Sequence, residues 1–202
     1  MLVLACGGLG ASHSELAQAT AKMLADENDG VECALSTVEG SAEMMGWRYT
    51  FGAAEARPFP DDMRDVKDVF GKKIGIRETM LVVPVEIENT LPKKRAHDRY
   101  MFLFGTDGEN HQSVATPAWL DEAIGAPNIR ALKDSFKPNE KRKAHATFFV
   151  QSAAAAPTSV IRMYWTERKP KPDNPRQTYD AVQEQICVEV HRITEKPGYT
   201  KP

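Results

Sequence analysis

The amino-acid sequence of 202 residues lacks several features that would fix a function class. No apolar run approaches the ~20 residues that a transmembrane helix needs. Neither sign of charge is in excess, because 26 basic residues stand against 28 acidic ones, which gives a net charge of -2. Nucleic-acid-binding domains usually carry a clear basic excess, so we expect no nucleic-acid partner. The hydrophobic content of 42% is typical of a soluble globular protein with a real core.

Motifs for catalysis and metal binding are also missing. There is no Cys-x-x-Cys, no His-Glu-x-x-His and no Gly-x-Ser-x-Gly. The five histidines are scattered along the chain: His13, His97, His111, His145 and His191. The pattern places His145 and His191 on outward strand faces. We therefore assign no catalytic residue, no cofactor and no metal site, and we expect the protein not to be an enzyme.

What the sequence does contain is alternation with a period of two, which is typical of β-strands. Strands are predicted at 31–38, 47–51, 80–89, 99–104, 143–151, 159–166 and 182–193. Pro84 falls inside one of them, and since proline donates no backbone hydrogen bond, it predicts an edge position or a bulge there. Short strands separated by turn signals favour a sandwich over a parallel α/β sheet.

One convincing helix is predicted, over residues 12–28, where Ser12 or Ser14 can cap the N-terminus. The chain is therefore divided into an N-terminal segment (1–30), a β-sandwich domain (31–195) and a flexible tail (196–202). The predicted fold is mostly β: an immunoglobulin-like antiparallel β-sandwich with an N-terminal helix.

Three sequence features resemble a known family. A strand with alternating apolar residues ends in Asn89-Thr90, an Asp107-Gly108 turn follows, and a Pro138-Asn139-Glu140-Lys141 turn leads into an apolar strand. This order resembles the immunoglobulin-like extracellular domains of bacterial lipoproteins of unknown function, grouped with immunoprotective extracellular proteins. The resemblance implies a secreted or surface-tethered module without catalysis, and it transfers no functional residues.

The first eight residues, 1–8, resemble the end of a bacterial lipoprotein signal, with an apolar stretch before Cys6 and glycines after it. In that resemblance the chain is cut before Cys6 and the thiol receives lipid. A complete signal needs a basic n-region and an apolar h-region of ~7–15 residues, whereas five residues precede Cys6. Either the start codon lies upstream or the match is accidental.

The remaining cysteines, Cys33 and Cys187, can pair in an oxidising envelope. Strand parity argues against the pair, because Cys33 alternates with apolar residues whereas Cys187 shares a strand face with Glu189 and His191. A disulfide and two unpaired cysteines therefore both stay open.

The long loop after residue 105 holds the candidate binding residues Trp119 and Leu120. An exposed tryptophan in a loop is a common anchor for a partner. The alternative is that both side chains pin the loop to the sandwich.

Together these features predict a non-enzymatic accessory or binding protein of the bacterial envelope or exterior, with a protein partner and a membrane contact only through lipid on Cys6. A structural subunit of a virion, tail or surface complex is the alternative. A third hypothesis is a nucleotide-binding enzyme that uses the glycine-rich turn at 7–10, although His13 stands where the fingerprint requires its third glycine.

Overall fold

The computed structural model describes residues 33–38, 40–60, 79–97, 101–106, 109–132, 134–150, 159–190 and 193–200. The predicted N-terminal helix, Cys6, the glycine-rich start and the Asp107-Gly108 turn lie outside these ranges.

Strands dominate the described part of the chain. In chain order they are β1 (Ser41–Met44), β2 (Trp47–Phe51), β3 (Ala54–Pro58), β4 (Thr79–Asn89), β5 (Arg95–Ala96), β6 (Met101–Thr106), β7 (Glu109–Gln112), β8 (Ser135–Phe136), β9 (Lys141–Val150), β10 (Ser159–Pro170), β11 (Thr178–Val190) and β12 (Ile193–Glu195). Among the described residues there is one α-helix, α1 (Ala118–Ile124), and one 3₁₀ turn (Ile129–Ala131). The predicted mostly-β class is confirmed.

The strands form two sheets. In the first, the long strand β4 pairs with β9 along one edge, while β2 and β3 share its other edge; β1 extends β2, and β12 extends β3. The second sheet has the order β11-β10-β6-β7. A short ladder joins β5 and β8.

The two sheets bury one common core, which makes the domain a β-sandwich. Trp47, Tyr49 and Phe51 of β2 contribute from the first sheet, as their alternation predicts, and Ile161 and Val188 contribute from the second. Burial of large aromatic and aliphatic side chains between two layers supplies the main stabilisation of such a fold.

The β1–β2 hairpin turns through Met45 and Gly46, which both have positive φ, 53° and 75°. A two-residue turn of this kind matches the twist of the flanking strands. Gly46 has a second reason to be glycine, because a Cβ there would lie 2.5 Å from Cγ of Leu91.

Pro84 lies in the central strand β4, and the predicted edge position is wrong. Its carbonyl accepts a hydrogen bond from Gly52 N at 2.8 Å. The backbone nitrogen of Pro84 therefore faces the connection between β2 and β3. This connection lies in the gap between the part of β4 that pairs with β2 and the part that pairs with β3. Proline is tolerated here because no ladder partner requires a donor.

Two other predictions need correction. The sandwich is not purely antiparallel, because β12 runs parallel to β3 and residue Leu35 forms a parallel bridge with Cys187 of β11. The C-terminal segment predicted to be a flexible tail is docked as far as residue 200: Lys196 N donates to Ala56 O at 2.8 Å, and Tyr199 packs into an apolar cluster. A short tail stays ordered when side chains and backbone bonds fix it in this way.

Candidate functional site

Helix α1 carries the two predicted binding residues, and it packs on the outer face of the first sheet. Leu120 is fully buried against Met80, Val82 and Phe149, and Trp119 is half-buried against the same cluster. Leu120 is thus a core residue and cannot contact a partner. The interpretation that these side chains pin the loop to the sandwich agrees with this packing, and Trp119 retains only part of its surface for binding.

A buried polar network lies beneath the same helix. His145 of β9 has a side chain that is 1% exposed. Its Nε2 lies 3.1 Å from Oδ1 of Asp121 on α1, and its Nδ1 lies 2.9 Å from Oγ1 of Thr147. His145 lies on the outer face of β9, as predicted, but it is buried rather than exposed, because α1 and the segment that follows it cover this face.

Asp121 also organises the loop around it. Its other oxygen, Oδ2, accepts from the backbone N of Asn128 at 3.2 Å, and Thr116 donates its hydroxyl to Oδ1. Asn128 donates from Nδ2 to the carbonyl of Val114 at 3.1 Å. The backbone N of His145 also bonds this loop, because it donates to Pro127 O at 3.0 Å. Buried polar groups need such partners, and this network fastens the loop to the otherwise open edge of β9.

The carboxylate–imidazole–hydroxyl order of Asp121, His145 and Thr147 is reminiscent of a nucleophile with its base. The hydroxyl, however, belongs to a fully buried threonine, so a substrate cannot reach it. Burial lowers the pKa of His145, although the hydrogen bond and the charge of Asp121 act in the opposite direction. The imidazole is therefore neutral near pH 7, and the network is suited to holding α1 rather than to acyl transfer.

The remaining histidines do not join this cluster. His97 is buried and lies 3.1 Å from the hydroxyl of Tyr49, and His111 is buried in β7. His13 and His191 lie outside the described residues. In the part of the chain that the structure describes, no three His, Cys, Asp or Glu side chains are grouped as metal ligands.

Cys33 and Cys187 form a disulfide, with their Cα atoms 5.6 Å apart. Both are buried, and Val160 and Leu35 pack against them. The strand parity that assigned Cys187 to a polar face is misleading, because the side chains of Cys33 and Leu35 cover that face. Residues 34–36 reach this position by pairing with the edge of β11: Cys187 N donates to Ala34 O at 2.9 Å, and Ser36 N donates to Cys187 O at 2.8 Å.

Asn89, at the end of β4, joins two turns. Its amide nitrogen donates to the carbonyls of Lys93 at 2.8 Å and Lys137 at 3.1 Å, and its Oδ1 accepts from Leu91 N at 3.2 Å. The turn from Lys137 to Glu140 is the one quoted for the family resemblance. The Asn-Thr strand end and this exposed turn are therefore joined through the buried side chain of Asn89, which gives the sequence pattern a structural reason.

The outer face of the first sheet, beyond the part that α1 covers, carries charges that neutralise one another. Arg48 bonds both Glu43 and Glu88, the latter at 2.9 Å, and Lys141 lies 3.1 Å from Glu86. These partners are cross-strand neighbours in the ladders β1–β2–β4–β9. A face of paired charges attracts neither a strongly basic nor a strongly acidic partner.

Sequence reasoning missed the polar network and the docked C-terminus. The signal for the network was the acidic Asp121 in a short helix, but its partner is 24 residues away and is recognisable only once β9 and α1 are packed. Of the helices in the described ranges, none combines the length and apolar character that crossing a bilayer requires.

Comparison with known proteins matches no family model and no curated protein. Among solved structures, the yjhA protein of Bacillus subtilis aligns over 81% of this chain and 99% of its own, with 9% identity and a TM-score of 0.46. An uncharacterized β-sandwich protein of Clostridium difficile aligns over 78% of this chain and 95% of its own, with 10% identity and a TM-score of 0.40.

A candidate lipoprotein of Bacillus subtilis, ycdA, aligns over 76% of this chain with 10% identity and a TM-score of 0.40. This chain spans 39% of the length of that structure.

Proposed function

We propose that this protein is a non-catalytic binding or accessory module that works outside the bacterial cytoplasm, with an immunoglobulin-like sandwich as its scaffold. The Cys33–Cys187 disulfide carries the proposal. Disulfides persist in oxidising compartments and are rare in the cytosol, where thiols are kept reduced. This one is buried and closes a sequence separation of 154 residues, so it is a part of the fold rather than a reactive surface pair.

The N-terminal cysteine supplies the means of attachment in this proposal. Lipid on Cys6 tethers the module to the membrane surface, and the disulfide-bonded Cys33 of the sandwich lies 27 residues further along the chain. At full extension that length of chain spans at most about 97 Å. The module then works within this distance of the lipid surface.

The partner is a protein that recognises the sandwich by shape or by strand pairing rather than by net charge. Two observations support this. The exposed face of the first sheet pairs its own charges, and the sandwich already accepts two segments added in parallel to its edges, at β11 and at β3. Strand addition is a common way for β domains to hold extended partners.

The test is the covalent state of the native protein. The protein is purified from its own cells, denatured without reductant, treated with a thiol-alkylating reagent, and analysed by intact and peptide mass spectrometry. We expect Cys33 and Cys187 to be protected from the reagent until a reductant is added. We expect the mature N-terminus to be an acylated Cys6, and a Cys6→Ala variant to be released from the membrane fraction.

Two results would overturn the proposal. Alkylation of both Cys33 and Cys187 without reductant would place the native protein in a reducing compartment. An unmodified N-terminus in a large stoichiometric complex would instead indicate a structural subunit.

A further inference from the structure

The C-terminal segment 193–200, here named the strap, lies across the edge of β3. Its first three residues form the parallel strand β12, in which Ile193 pairs with Ala54 and Glu195 pairs with Ala56. Lys196 N extends the ladder by donating to Ala56 O at 2.8 Å. Ile193 is partly buried against the main core.

Beyond β12 the strap is held by one side chain of β3. Arg57 donates from Nη1 to the carbonyl of Pro197 at 2.5 Å, and its guanidinium lies 4.0 Å from the centre of the Tyr199 ring. Glu55 accepts from Nε and Nη2 of Arg57 at 3.1 and 2.6 Å, which fixes the guanidinium plane. Tyr199 then packs into the apolar cluster that contains Phe59 and Phe149.

The receiving surface, here named the groove, is formed entirely by residues outside the strap. It consists of the β3 backbone at Ala54–Ala56, the Arg57 guanidinium held by Glu55, and the apolar side chains Phe59 and Phe149. It selects an extended segment that runs parallel to β3, presents a carbonyl to Arg57 and places an aromatic ring six residues after its first paired residue. The strap is a sequence that meets these requirements.

The strap is held by few interactions. Most of its residues are exposed, and Ile193 and Tyr199 are its two partly buried anchors. Segments with few buried contacts open at free energies well below that of global unfolding. The strap also follows closely on a fixed element, because two residues separate Ile193 from Val190 at the end of β11, which belongs to the other sheet. A short connection between an anchored strand and an exchangeable one favours swapping between copies.

We propose that the strap is exchangeable, and that two copies of this chain associate by each placing residues 193–200 in the groove of the other. The contacts in the dimer are those that the monomer already makes, so exchange requires only that the chain take a different path between Val190 and Ile193. The interface is isologous, as expected for a two-fold dimer.

Two single variants distinguish the contribution of the strap from that of the groove. Tyr199→Ala removes the anchor of the strap and leaves the groove intact, whereas Arg57→Ala damages the groove and leaves the strap intact. Neither variant alone can form the complete contact between strap and groove, either within one chain or between two identical chains. An equimolar mixture can form it, between the intact strap of one copy and the intact groove of the other.

One variant is isotope-labelled, the two are mixed, and the species are weighed by native mass spectrometry. We expect a heterodimer in the mixture at about tenfold the dimer fraction of either variant alone. Arg176→Ala and Thr200→Ala are the matched controls, because both side chains are exposed and neither supplies a contact to the groove. Their mixture should show no such enrichment. Circular dichroism checks that each variant is folded.

A labelled peptide with the sequence of residues 193–202 gives an independent measurement that does not depend on the folding of either variant. Excess wild-type protein should raise its fluorescence anisotropy, and the same peptide with Tyr199→Ala should bind about tenfold more weakly. Absence of both heterodimer and peptide binding overturns the proposal. Peptide binding without a heterodimer also overturns the exchange between copies, and it assigns the groove to an extended segment of another protein.

Discussion

At the scale of single residues, the described structure is organised by a few buried polar side chains. Asn89 and His145 are each fully buried, and each connects segments that are distant in the sequence. A buried polar group is favourable only while its partners are present, because an unsatisfied donor or acceptor costs about 1–3 kcal/mol. Such residues therefore hold distant segments of the chain together, although the sequence alone does not distinguish them from polar residues on the surface.

Asn89→Ala should lower the free energy of unfolding by about 2–3 kcal/mol. The substitution leaves the Leu91 N–H and the carbonyls of Lys93 and Lys137 without their present partner. Urea unfolding followed by circular dichroism measures the change. Asn174→Ala, in the exposed turn between β10 and β11, is the control and should shift stability by less than about 0.5 kcal/mol. Equal effects of the two changes would contradict the assigned role of Asn89.

His145 should make stability depend on pH. Its pKa in the folded state is lowered by burial, and Asp121 and Thr147 are the polar groups that face the ring. Below its ordinary pKa of about 6.5 the unfolded chain takes up a proton that the folded protein resists. The free energy of unfolding should therefore decrease as the pH falls from 7.5 towards 5.5.

His145→Gln is the matched variant for this measurement, because it keeps a polar side chain but does not titrate. Its unfolding free energy should change less over the same pH interval than that of the wild type. A wild-type slope equal to that of the variant would show that the pKa of His145 is the same in the folded and unfolded states.

At the scale of elements, the main lesson concerns strands that are covered on both faces. The alternation in β2 correctly identified Trp47, Tyr49 and Phe51 as core residues. In β9 it correctly placed His145 on the face opposite the core residues, but it did not show that every residue from Ala144 to Val150 is buried. Helix α1 and its flanking loop cover the second face of β9, just as the side chains of Cys33 and Leu35 cover Cys187 on β11. Alternation shows which residues face a neighbouring sheet, but it contains no information about a third layer.

Other elements were missed for local reasons. β1 was not predicted because its hairpin turns through Met45 in a positive-φ conformation, and this residue is uncommon in such turns. β12 was not separated from β11 because the two residues between them, His191 and Arg192, include no glycine or proline that would indicate the end of a strand. Pro84 was assigned to an edge position or a bulge because the gap between two successive partner strands is a property of the assembled sheet, which the sequence does not show.

Leu120→Ala should lower the free energy of unfolding by about 2–4 kcal/mol, because the side chain fills the space between α1 and the sheet. Glu122→Ala, on the exposed side of the same helix, should have an effect below about 0.5 kcal/mol. Thermal unfolding of both variants provides the comparison. A small effect of Leu120→Ala would mean that α1 is fixed to the sheet mainly by Asp121 and His145.

At the scale of the whole molecule, the disulfide connects the start of the described chain with the second last strand, β11. Closing so long a segment restricts the unfolded chain more than the folded one. Removing the bond through Cys33→Ala with Cys187→Ala should therefore lower the free energy of unfolding by about 2–5 kcal/mol. Reductant should have a similar effect on the wild type and none on the double variant, as measured by urea unfolding with and without dithiothreitol.

The same bond has a consequence for proteolysis. A protease that cuts the backbone once, anywhere between residues 33 and 187, produces two pieces that stay joined through sulfur. A nicked molecule then migrates as full-length protein on a gel run without reductant, and its fragments separate only when thiols are added. A single break in this span would therefore not separate the two halves of the molecule.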